Sequence, residues 1–245
     1  MLWPMGMTAV TTPTGDCPLY VSQPQGPGPW PGVVVVHDVL GMSNDLRAQA
    51  DWLAGEGFLA AAPDLFHGRR TAARMVAVAR SGMAGRGPAF DDIDATSTWL
   101  KAQKACTGRI GVIGYCMGGG FALVMARGRG FAASSVNYGT ASKTAYTAEF
   151  HSASCPIVGS FGGKDRSLRG AAARLEAALE AAGVEHDVKE YPGAGHGFLN
   201  DHPGVGDKEP ALFRVMGRFT GTGYDRAAAE DARARITAFF GAHLK

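Results

Sequence analysis

The chain has 245 residues, 46% of them hydrophobic, which is enough to bury a full core and fits a single α/β domain over residues 1–245. Lys and Arg number 24 against 22 Asp and Glu, so the formal charge of +2 gives no electrostatic case for nucleic acid or an anionic membrane surface as partner. Cys17, Cys106, Cys116 and Cys155 are too scattered for a disulfide scaffold, and no Cys or His pairing has local zinc-site spacing, so neither a metal nor another cofactor is expected.

The opening MLWPMGMT lacks the basic and apolar regions of a signal peptide, and no segment approaches the roughly 20 apolar residues of a membrane span. The expectation is a cytoplasmic protein with reduced thiols, acting on a small molecule as a monomer or small homo-oligomer.

After the loop PQGPGPWPG, the run VVVVH at 33–37 is continuous and β-branched, as in a strand buried on both faces of a parallel sheet. Ser43 or Asn44 caps a helix with Leu46, Ala50 and Leu53 on its inner face, stopped by Gly55 and Gly57. A strand FLAAA follows. Residues 67–87, rich in Arg, Ala and Gly, read as a short helix and a mobile connection before the helix carrying Phe90, Ile93, Ser97 and Leu100. Residues 109–113 form the next strand, 121–126 a helix, and FAASSVNYG and PIVGSFGG two further strands. Leu168, Ala172, Leu175 and Leu179 mark an amphipathic helix, HDVKEYPG a last strand, and 225–242 a closing helix with Ala232, Ile236 and Phe239 inward. This alternation predicts an α/β fold: a mostly parallel, doubly wound sheet with helices on both faces and a site at the C-terminal strand ends.

Those ends carry chemistry. GYCMGGG at 114–120 places Cys116 in the G-x-nucleophile-x-G spacing of a nucleophile elbow, where a strained residue on a sharp strand-to-helix turn needs glycine neighbours. The following helix N-terminus favours a thiolate. Read alone, the heptad has one alternative, a glycine-rich turn around a small buried cysteine. His196 in GAGHGF can serve as base, and Asp165 in FGGKD can fix its tautomer. Nucleophile, acid and histidine then fall in α/β-hydrolase order, each on its own strand end.

With these residues in place, the chain resembles the dienelactone hydrolase family, cysteine-nucleophile members of the α/β-hydrolase fold. The match runs through VVVVHDVLGMSN, AAPDLF, IGVIGYCMGGG, the GGKD turn and AGHGF. The resemblance implies Cys116 as nucleophile, His196 as base and Asp165 as acid, with the backbone N–H groups of Val39 and Met117 as oxyanion hole. It implies hydrolysis of a small lactone or ester through a thioester. Two positions depart from the family pattern. Asp38 stands where members carry a glutamate that holds the resting thiol, so it either keeps that role or is a loop carboxylate. Asn200 stands where they carry a substrate-binding arginine, leaving Arg69, Arg70, Arg74, Arg80 or Arg86 as substitutes. Tyr138, at a strand end, is a further candidate for lining the pocket. The alternatives are a redox-sensing or thiol-modifying protein using Cys116, and a non-catalytic binding module on the same fold.

Overall fold

Val33 to Val36 are fully buried, as a strand covered on both faces must be, and they form most of β3 (Trp30–Val36). The computed structural model describes residues 6–207 and 223–245. Ahead of β3, β1 (Gly6–Thr12) and β2 (Gly15–Ser22) make an antiparallel hairpin. The sequence reading assigned no strand there, because β1 alternates between half-buried and exposed until its last residue, Thr12, and leaves little apolar periodicity.

After β3 come α1 (Asn44–Gly55), β4 (Leu59–Pro63), α2 (Ala72–Ala84), α3 (Pro88–Lys101) and β5 (Cys106–Tyr115). The chain continues through α4 (Met117–Met125), β6 (Ala133–Asn137), the short α5 (Ala148–His151), β7 (Ile157–Gly162), α6 (Ala171–Ala182), β8 (His186–Tyr191) and α7 (Arg226–Leu244). The strands form one sheet in the order β1-β2-β4-β3-β5-β6-β7-β8. Pairing is parallel from β4 through β8, and the hairpin adds the antiparallel edge through β2 and β4.

Local chemistry sets the helix ends. Ser43 Oγ accepts from Leu46 N at 3.1 Å to open α1, and Asp225 caps α7 by accepting from Ala228 N at 3.1 Å. Between 67 and 87 the structure differs from the expected short helix and loose connection. α2 is a full 13-residue helix, capped by Thr71 and stopped by Gly85 in the left-handed region at φ 66°. Only Val78 and Ser81 of it are buried, so its inward stripe is too thin to read as periodicity.

α2, α3 and α4 pack together on one face of the sheet. On the opposite face α1 and α7 meet over the central strands, with Arg233 5.4 Å above the Trp52 ring and Phe240 against Phe58 at 6.0 Å. Both layers cover β3 and β5, whose ends carry part of the site.

Candidate active site

β5 ends in a turn that forces one residue into an unfavourable backbone. Cys116 has φ 54° and ψ −114°, outside the regions a non-glycine residue prefers. The turn is tight because α4 starts immediately and packs on the ends of β5 and β3. A Cβ on Gly114 would lie 1.9 Å from Gly118 O, and one on Gly118 would lie 2.2 Å from Val36 O. No side chain fits at either position. Cys116 N–H donates to Asn137 O at 3.1 Å, tying the elbow to the end of β6. The thiol is half-buried at the N-terminus of α4, where unpaired N–H groups favour negative charge.

Asp165 and His196 come from the ends of β7 and β8, and the two turns are sewn together. Gly163 N–H donates to Tyr191 O at 2.8 Å and Lys164 N–H to Ala194 O at 2.9 Å, while a Cβ on Gly162 would strike Gly195 O at 2.4 Å. His196 Nδ1 lies 2.5 Å from Asp165 Oδ2, and the other carboxylate oxygen accepts from Ser167 N–H and Ser167 Oγ. Burial alone would raise the Asp165 pKa, but these donors hold it below the usual carboxylate range. For His196 burial alone would lower the pKa; the hydrogen bond with Asp165 and the nearby Cys116 sulfur raise it to about 10. Asp165 and His196 are thus joined directly, and the Cys116 sulfur lies near enough to the imidazole to raise its pKa.

Val39 follows β3, and Met117 opens α4. Neither N–H has an acceptor among the described residues, and the close packing of Gly118 on the end of β3 brings the two segments together. Both are half-buried and free to face a ligand.

Asp38 is turned to other partners. Its Oδ1 accepts from Leu40 N–H at 2.7 Å, and its Oδ2 lies 2.8 Å from His202 Nε2. His202 Nδ1 lies 3.0 Å from Asp207 Oδ2, and Asp207 accepts the N–H groups of Asn44 and Asp45 at the start of α1. Two flanking carboxylates outweigh burial and push the His202 pKa up to about 9. His202 has no assigned role in the sequence reading. The one signal for its role was a histidine flanked by aspartates, and nothing local pairs it with Asp38.

Tyr138 and Asn200 are also committed. Tyr138 is fully buried, its ring standing edge-on to His196 at 5.2 Å, and its hydroxyl donates to Asn200 Oδ1. Asn200 Nδ2 donates to Asp45, whose carboxyl also takes Asp201 N–H at 2.8 Å. A side-chain amide with both ends engaged and 8% exposure orders the His196 loop more than it presents a surface to substrate. His37, the other histidine near the elbow, is fully buried; its Nε2 accepts from Leu65 N–H at 3.1 Å, and burial lowers its pKa.

The five arginines of the 67–87 region are all exposed, and Arg70 Nη1 donates to Leu40 O at 3.2 Å. Arg69 and Arg70, with Arg47, line a cavity of about 410 Å³ that also touches Leu40, next to Val39. A cavity of about 480 Å³ between α2, α4 and residues 142–153 contains none of Cys116, Asp165 and His196. Among the described residues, the cluster with metal-ligating character is Cys17, His67 and Asp92, which shares no element with the elbow.

A mostly parallel sheet wound on both faces, with a cysteine on the elbow and an acid and a histidine on later strand ends, defines the α/β-hydrolase fold. The dienelactone hydrolase family matches residues 18–244, and the chain belongs to it. It is a hydrolase of the ester- and lactone-cleaving class. A Yersinia pestis protein named "Putative carboxymethylenebutenolidase" is 28% identical over 80% of this chain and 79% of its own length. An Azospirillum brasilense protein of the same name is 25% identical over 97% and 100%. A solved dienelactone hydrolase-like promiscuous phosphotriesterase from metagenomic libraries superposes with a TM-score of 0.76 at 20% identity, covering 98% of each chain.

Proposed function

We propose that the protein hydrolyses a small lactone or ester through a Cys116-His196-Asp165 triad and a thioester intermediate. The observation that carries this reading is Cys116, held in a strained elbow conformation beside a histidine that is itself bonded to a buried aspartate. His196 takes the thiol proton, and the sulfur attacks the carbonyl carbon. The N–H groups of Val39 and Met117 receive the oxyanion. When the C–O bond breaks, the leaving oxygen takes the proton from His196. Water, deprotonated by the same imidazole, then attacks the thioester and returns the thiol. For a lactone the leaving oxygen stays tethered to the acyl group and can help deprotonate that water.

Asp38 acts here as a loop carboxylate. Its partners are His202 and Leu40 N–H, and the thiol's electrostatic partner is His196. Asn200 and Tyr138 support the back of His196. The redox alternative lacks a resolving thiol. Cys106 begins the ten-residue β5 that Cys116 follows, a separation of about 30 Å along an extended strand. Cys155 precedes β7 at that same far edge, and Cys17 is fully buried.

The test is a hydrolysis screen of lactones and short-chain esters, with and without a substrate carboxylate, run beside Cys116→Ala. Turnover that vanishes in the variant, with an acyl adduct on Cys116 by mass spectrometry, supports the reading. Undiminished turnover by Cys116→Ala removes it. A lower KM for the carboxylate-bearing substrates would place Arg69 or Arg70 at the pocket.

A further inference from the structure

A second cysteine, histidine and aspartate meet in the interior. Cys17 lies on β2, His67 in the turn after β4 and Asp92 on α3, and one potential ligand atom from each lies within 4.8 Å of the others. Cys17 is 0% and Asp92 1% exposed, and the His67 side chain is 8% exposed. His67 Nε2 lies 2.8 Å from Asp92 Oδ2. Asp92 Oδ1 is buried and has no hydrogen-bond partner among the described residues. Leaving a buried charged oxygen unpaired is costly, so a missing partner on that side is the feature that calls for explanation. The Cys17 thiol lies close to this pair; burial first, and then the Asp92 and Asp64 carboxylates, push its pKa well above the ordinary thiol range.

We propose that Cys17, His67 and Asp92 form a buried structural site for a zinc ion. Thiolate, imidazole and carboxylate are the donors zinc takes, and its two positive charges cancel those of the thiolate and carboxylate, leaving a neutral buried centre. Binding sends the Cys17 proton to solvent and moves the Nε2 proton of His67 to Nδ1, freeing Nε2 for the metal. Zinc bonds of about 2.0–2.3 Å put tetrahedral ligands about 3.5 Å apart, so separations of up to 4.8 Å close by roughly 1 Å, while His67 Nε2 and Asp92 Oδ2 open from 2.8 Å. Asp64 O, 3.6 Å from Cys17 Sγ, already accepts His67 N–H at 2.8 Å, so the fourth ligand is a water. The ion would pin the antiparallel edge, the turn after β4 and α3 to one another. It takes no part in hydrolysis, so this site stands or falls independently of the triad.

The experiment is a titration of chelator-treated full-length Cys116→Ala with cobalt(II), the variant being used to remove the elbow thiol. The expected result is one ion per chain with a thiolate-to-cobalt charge-transfer band in the near ultraviolet, displaced by zinc, and a thermal midpoint raised by zinc. Cys17→Ala in the same background abolishes the band, and His67→Gln weakens binding at least tenfold. Absence of the band from the Cys116→Ala protein overturns the site and leaves a buried water as the partner of Asp92. A band that survives Cys17→Ala overturns it as well, since the thiolate then belongs to another cysteine. If Cys17→Ala does not fold by circular dichroism, His67→Gln decides, and unchanged cobalt affinity in that variant rejects the proposal.

Discussion

Two groups of cysteine, histidine and aspartate stand out among the described residues, and their surroundings differ in exposure, backbone placement and hydrogen bonding. At the elbow, Cys116 is half-buried at a helix N-terminus, with unpaired N–H groups nearby and a histidine bonded to a satisfied aspartate. In the interior, Cys17 sits mid-strand with no exposure, next to an aspartate that has an oxygen unpartnered among the described residues. Residue types are the same. The first arrangement can admit a substrate carbonyl and stabilise charge on it, while the second admits at most an ion. A nucleophile is therefore defined by backbone placement and access, and the triad of names alone defines nothing.

The sharpest way to break this contrast is to remove each cysteine in turn. Cys116→Ala is expected to cut hydrolysis by at least about 10³-fold, and His196→Ala by roughly 10²–10⁴-fold. Cys17→Ala should leave kcat/KM within about threefold while lowering stability by about 1 kcal/mol or more. Steady-state kinetics beside urea denaturation separate the two groups, and loss of turnover on removing Cys17 alone would exchange their roles.

The elbow backbone can be tested without touching the thiol. Gly114→Ala puts a methyl 1.9 Å from Gly118 O, a backbone atom that cannot step aside. We expect a loss of about 3 kcal/mol or more in stability, together with most of the activity, read by denaturation and turnover on the soluble fraction. A fully active, equally stable variant would show that the turn is not under the constraint described.

A smaller effect belongs to the clamp beside the site. His202 holds Asp38 and Asp207, and its folded pKa of about 9 lies above the ordinary histidine value near 6.5. Its contribution to stability is thus complete below about pH 6.5 and is lost as the pH rises through 9. His202→Gln should cost roughly 2–3 kcal/mol at pH 6, and the gap to the parent should narrow by pH 10 in chemical denaturation. A gap independent of pH would mean that the imidazole is uncharged.

Least change is expected from Asp38→Asn. Because His202 and Leu40 N–H already hold this carboxylate, pH profiles for alkylation of Cys116 by iodoacetamide should agree with the parent within about threefold. A profile shifted clearly downward would instead return Asp38 to the role of resting-thiol partner.

The legible parts of this protein are those written in short segments. Val33 to Val36 announce a strand buried on both faces, Ser43 a helix start, and Gly114 to Gly118 a turn too tight for side chains. Cys116, Asp165 and His196 can be placed because each follows its own strand, and a parallel sheet delivers consecutive strand ends to one edge. The hairpin of β1 and β2 and the full length of α2 escape such reading, since elements with one weakly buried face carry little periodicity. Side-chain partnerships escape it too. Asp38 with His202 spans 164 positions, Asn200 with Asp45 155, and Cys17, His67 and Asp92 meet across three elements. Whether a carboxylate guards a thiol, pairs with a histidine or waits for an ion depends on which donors packing brings within about 3 Å of it, and no local pattern encodes that distance.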